Sequence, residues 1–172
     1  MINEPPEVFR EWLIHDINTN DDLQDVINVC TVVMDKMNIE NIDNVSISLS
    51  DNLDVNGKHI RRANERIGKV YIKRGIPICY GIICVAHELG HEVTETGSLK
   101  LKLIAESTAC SFESHFLKVF GEITKFSINV ERAKWYKTIK QNGLGYFVGS
   151  LITFNPLNRL IKEEYRKTKR KE

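Results

Sequence analysis

The stretch from Ile78 to Val93, ICYGIICVAHELGHEV, constrains the fold most, because it is apolar or small nearly all the way round at helical spacing yet carries two histidines. A helix of that composition is one that gets buried. His87 and His91 stand four residues apart, so on a helix they share one face and can aim two imidazole nitrogens at one point. Two unpaired imidazoles in an apolar helix would be expensive, and one metal ion resolves that. With five histidines in 172 residues, a chance HExxH arises in roughly one such chain in a hundred. The pattern is therefore read as a signal.

Zinc accepts imidazole nitrogen at about 2.0 to 2.1 Å, and catalytic zinc sites use three protein ligands with a fourth position open to water. Glu88 directly follows His87 and so lies beside that open position, placed to take a proton from a water that the metal has acidified. The third ligand must come from elsewhere. In the metzincin pattern it would be a histidine at position 97, with a glycine at 94; here these are Gly97 and Thr94, which excludes that class. A glutamate on the next helix is the other common solution, and Glu106, in AESTACSF, is the first choice. Glu113, two helical turns later on nearly the same face, is the competitor, either as ligand or as a group behind one. Glu92 and Glu95 read as solvated charges at the helix end. His115 falls on another face. It is a candidate oxyanion donor together with Tyr80 and Tyr136, though packing explains each more simply, and Cys84, one turn before His87, is a core residue that could line the site.

The rest of the chain supports a small α+β domain: a short antiparallel sheet packed on the helix that carries HELGH, with several further helices. One domain over residues 1–172 is expected, with a core of about 20–121 and a helical extension of about 130–172. Leu23, Val26, Ile27, Cys30, Val33 and Met34 recur at helical spacing after cap-type residues at 18–20. VSISLS, from Val45 to Ser50, alternates as a half-buried strand does, and KHIRRA with KVYIKR reads as a hairpin around NERIG. DNLDVNG mimics an EF-hand opening but fails it, since position nine would be Ile60 and position twelve Ala63. After Val93 a break at Thr96, Gly97 and Ser98 leads into a second, antiparallel helix from Leu101 to about Phe120.

A formal net charge of +1 gives no global field for nucleic acid, and the basic tail from Arg159 to Lys171 is diluted by Glu163 and Glu164, so direct nucleic-acid binding is not expected. The first residues do not read as a secretory signal, and LGYFVGSLITF, from Leu144 to Phe154, falls short of the roughly 20 residues a bilayer demands. Cys30, Cys79, Cys84 and Cys110 sit in apolar stretches without a CxxC pair, which suits reduced, buried thiols in the cytoplasm.

VAHELGHEV with the downstream pattern of Glu106, Ala109, Phe112 and Leu117 resembles the ImmA/IrrE-type metallopeptidases, gluzincin-like proteins of bacteria, phages and mobile elements. The resemblance covers roughly Val45 to Leu117. It implies a small zincin core, zinc on His87, His91 and Glu106, Glu88 as catalytic acid/base, and regulatory cleavage of a specific protein such as a DNA-binding repressor. Cys110 stands where that family usually has asparagine, and Glu113 where it has a small residue. Two functions thus follow as expectations. The first is a zinc-dependent peptidase, with a strand at Val70 to Arg74 offering its edge to an extended substrate. The second is a metal-stabilised regulatory module that binds a partner without cutting it; a base beside an open metal position argues against it, since structural zinc fills all four sites.

Overall fold

The computed structural model describes residues 2, 4–39, 45–60, 67–93, 102–129 and 132. Its elements run α1 (Pro6–Ile14), α2 (Asn20–Lys36), β1 (Val45–Ser50), β2 (Gly57–Ile60), β3 (Gly68–Lys73), α3 (Ile78–Val93) and α4 (Lys102–Thr124). This is the small α+β domain expected. The helices predicted beyond residue 130 and the turn at 94–101 lie outside the described residues, as does the apolar run at 144–154.

α1 was not foreseen. Pro6 opens it, where a missing N–H is harmless, and Phe9 and Leu13, one turn apart, enter the core. With Ile17 they extend the core ahead of residue 20, where the sequence suggested it would begin. α2 starts at a reciprocal cap: the Asp22 backbone N–H donates to Thr19 Oγ1 at 3.1 Å, and the Thr19 N–H donates to Asp22 Oδ2 at 2.8 Å. It ends at Asn38, whose φ of 54° is the left-handed conformation asparagine tolerates after a helix.

The three strands form one sheet in the order β1-β3-β2. β2 and β3 make the expected hairpin pair, antiparallel with Gly57 opposite Ile72 and His59 opposite Val70. β1, however, runs parallel to β3, with Ile47 opposite Val70, so the sheet is mixed rather than antiparallel. A second correction follows from the order. β3 is the central strand and has no free edge; the edges belong to β1 and β2. Val70 and Ile72 point from β3 onto α3 and are fully buried. Backbone bonds between Ile17 and both Gly75 and Ile76, and from Ile78 N–H to the His15 carbonyl at 2.8 Å, tie the α1–α2 link to the turn that feeds α3.

α3 has the bounds its sequence suggested. The Pro77 carbonyl accepts the N–H of Tyr80 and of Gly81, which starts the helix, and every residue from Ile78 to Gly90 except Tyr80 is buried. α1, α2, α4, β2 and β3 all pack on it. α4 lies antiparallel to α3, as the paired contacts His91 to Glu106, Gly90 to Ala109 and His87 to Glu113 demand. The two helices approach tightly at Gly90: a Cβ there would come to 2.8 Å from Ala109 Cα and 2.9 Å from its carbonyl oxygen. Gly90→Val is therefore expected to push the two helices apart and destabilise the protein by about 1–3 kcal/mol, as overpacking does. Urea unfolding of the two proteins measures this directly.

Candidate metal centre

Glu106 arrives where the sequence placed it, one turn inside α4 and opposite both histidines. Its Oε2 lies 3.3 Å from His87 Nε2 and 3.8 Å from His91 Nε2. The two imidazole rings stand edge to face, with centroids 5.0 Å apart. One donor atom each from His87, His91 and Glu106 falls within 4.8 Å of the others, a spacing that one ion between them would satisfy. Two imidazole nitrogens and one carboxylate oxygen fit zinc, with coordination room for water. His87 is 1% exposed and Glu106 7%, while the His91 side chain, at 17%, marks the side open to solvent.

A second donor set shares His87: Cys110 and Glu113 on its other flank. Glu113 Oε2 lies 3.1 Å from His87 Nδ1, and Cys110 Sγ lies 3.9 Å from the same nitrogen. The other Glu113 oxygen is taken by the guanidinium of Arg132. A cation on that flank would face an arginine, so the flank suits a group that orients the ring rather than a metal. Histidine ligands commonly give their second nitrogen to a carboxylate, which fixes ring orientation and tautomer. Of the two glutamates left open, Glu106 faces Nε2 of both histidines and Glu113 faces the far nitrogen of His87.

Burial and mutual contact shift the charges of these groups. Glu88, Glu106 and Glu113 are all buried close to His87, and the guanidinium of Arg132 meets Glu113. Desolvation pushes the Glu88 carboxyl up to about 7, against the pull of His87, with Glu106 adding to the rise and a backbone hydrogen bond from His59 opposing it. Burial alone would depress His87, but its contacts with Cys110, Glu106 and Glu113 hold it well above its ordinary value. His91 goes the other way, down to about 4, from burial and the neighbouring His87 charge. It therefore presents a neutral ring with a lone pair at neutral pH.

β2 closes the other side of the centre. The Lys73 N–H donates to the Asn56 carbonyl at 2.9 Å, so Asn56, Lys58 and Ile60 bond inward to β3, while Gly57 and His59 turn their backbone groups to the outer edge of β2. That edge runs past Glu88, which takes the hydrogen bond from the His59 backbone. Gly57 permits the approach: a Cβ there would sit 2.9 Å from Cys84 Cβ and 3.6 Å from Glu88 Oε1. The His59 ring stacks 6.3 Å from that of His91, and its Nε2 pairs with Glu92 Oε2 at 2.9 Å. Glu92 was expected to be a solvated charge; its side chain is 9% exposed, because β2 lays His59 across it.

The remaining candidates separate cleanly. His115 is exposed, as its helical position suggested. Cys84 is fully buried, and burial, with Glu88 next, raises its thiol well above the usual range; it packs toward β2. Tyr80 is half-buried on the first turn of α3, away from the histidines. Tyr136 and Glu95 lie outside the described residues. All four cysteines are buried thiols outside any disulfide. Among the described residues, no helix is long and apolar enough to cross a membrane. His59 and Arg132 were missed by the sequence reading, since neither lies in a motif. Comparison with protein-family models, with curated proteins and with solved structures gave no match.

Proposed function

We propose that this chain is a zinc-dependent peptidase. The observation that carries the reading is the convergence of His87, His91 and Glu106 within 4.8 Å, with Glu88 buried beside them. His87 and His91 from α3 and Glu106 from α4 would hold the ion, with Glu113 steadying the His87 ring through Nδ1. Zinc bound there would supply a Lewis acid that acidifies water and polarises a carbonyl. Glu88 is the base in this scheme: it accepts one proton from the attacking water, whose oxygen bonds to the scissile carbon. It returns that proton to the amine nitrogen as the C–N bond breaks, so no net charge accumulates.

The substrate would be an extended segment of a protein, laid along the outer edge of β2 so that its main chain pairs with Gly57, beside the His59 N–H that Glu88 holds. This replaces β3 as the docking strand. The resemblance in the α3 and α4 motifs suggests a regulatory target such as a DNA-binding repressor, and four buried thiols outside any disulfide suit work in the cytoplasm.

The test is metal analysis of the purified protein followed by incubation with a pool of quenched fluorescent peptides. One zinc per chain is expected, with cleavage that a chelator stops and added zinc restores. Zinc uptake without hydrolysis of any peptide would favour the non-cleaving regulatory module, and absence of zinc would sink both readings.

A further inference from the structure

The chain does not finish the metal centre with α4. Thr124 Oγ1 donates to the Phe120 carbonyl at 2.8 Å, and Lys125, at a φ of 63°, breaks the helix and turns the backbone. Phe126 then packs its ring against Phe9 of α1, tilted by 42° with centroids 5.3 Å apart, and Ile128 enters the core. These two anchors run the chain back along α4, and the Arg132 N–H donates to the Ile128 carbonyl at 2.9 Å. The result places the guanidinium against Glu113, nineteen residues earlier in sequence.

That guanidinium makes several contacts at once. Nε donates to Glu113 Oε1, while Nη2 donates to Ser114 Oγ at 2.8 Å and reaches the Cys110 carbonyl at 3.4 Å. Glu113 is 0% exposed, so its charge needs a partner close by, and Arg132 is that partner. By occupying Oε1, Arg132 leaves Oε2 for His87 Nδ1. Arginine suits this better than lysine, because its planar fork fixes two directions where an ammonium fixes none.

We infer that Arg132 is a positioning residue of the metal centre: it acts through Glu113 on His87, and thereby makes the turn after α4 part of the metal-holding apparatus. This rests on the metal reading above. An ion pair that merely stabilised the fold would affect unfolding and leave metal affinity alone. A relay to the His87 ring changes metal affinity, and does so only while Glu113 is present.

The experiment measures zinc affinity by competition with a chromophoric chelator, on the full chain and on Arg132→Gln, Arg132→Lys, Glu113→Gln and the double Glu113→Gln/Arg132→Gln variant. Both glutamine variants should bind zinc about 10- to 100-fold more weakly, as loss of a group behind a ligand does. The double variant should lose no more than either single one, because both act along one path. Arg132→Lys should keep the fold and still bind several-fold more weakly, which carries the test if Arg132→Gln fails to fold. Wild-type zinc affinity in the folded variants, with only a lower melting temperature, would overturn the inference, and so would losses that multiply in the double variant. If the wild type itself takes up no zinc, the metal reading falls first.

Discussion

Replacing Glu88 by glutamine should leave zinc in place and lower peptide turnover by about a hundred- to ten-thousand-fold, the range that a positioned general base contributes. The substitution is nearly isosteric in a side chain only 7% exposed, and glutamine can still accept the hydrogen bond from the His59 backbone. None of the proposed ligands changes. What disappears is the capacity to take a proton from water at the moment of attack. Metal content, melting temperature and kcat measured together decide the matter: unchanged metal with lost kcat supports the role, and retained turnover removes it.

The second large effect is on the metal itself. Glu106→Gln should weaken zinc binding by more than about a hundredfold, beyond the 10- to 100-fold expected when a group behind a ligand is lost. The geometry sets this order. Glu106 Oε2 faces Nε2 of both histidines at 3.3 and 3.8 Å, whereas Glu113 meets the far nitrogen of His87 at 3.1 Å. Measured on the same chelator scale, a greater loss in Glu113→Gln than in Glu106→Gln would reverse the two assignments.

What was legible in the sequence is what local pattern controls. α3 could be bounded because a proline precedes it and its apolar residues surround the axis, and Glu106 could be placed opposite the histidines because two consecutive antiparallel helices bring i and i+19 together. β1 showed its alternation, and KHIRRA with KVYIKR read as the hairpin that β2 and β3 form. Their order did not show, since a parallel pairing of β1 with β3 is settled by what packs against α3 rather than by either strand's residues. α1 escaped notice because one turn, Phe9 to Leu13, carries its whole buried face. The same limit hid the residues around the site. His59 meets Glu92 across 33 positions, and Arg132 meets Glu113 across nineteen, with no spacing rule to announce either. Glu92 was misjudged for a related reason: a carboxylate near a helix end is usually wet, and only the strand lying over it makes it dry.

The shortness of β2 has a consequence for selectivity. With four residues, of which only Gly57 and His59 turn outward, the strand can register little more than a dipeptide of any chain laid beside it. So small a grip reads few side chains and rejects few sequences. Under the peptidase reading, discrimination then rests on the target's own conformational stability: a well-folded protein keeps its backbone paired and is spared, while one that exposes an unstructured loop, even briefly, surrenders it to the blade.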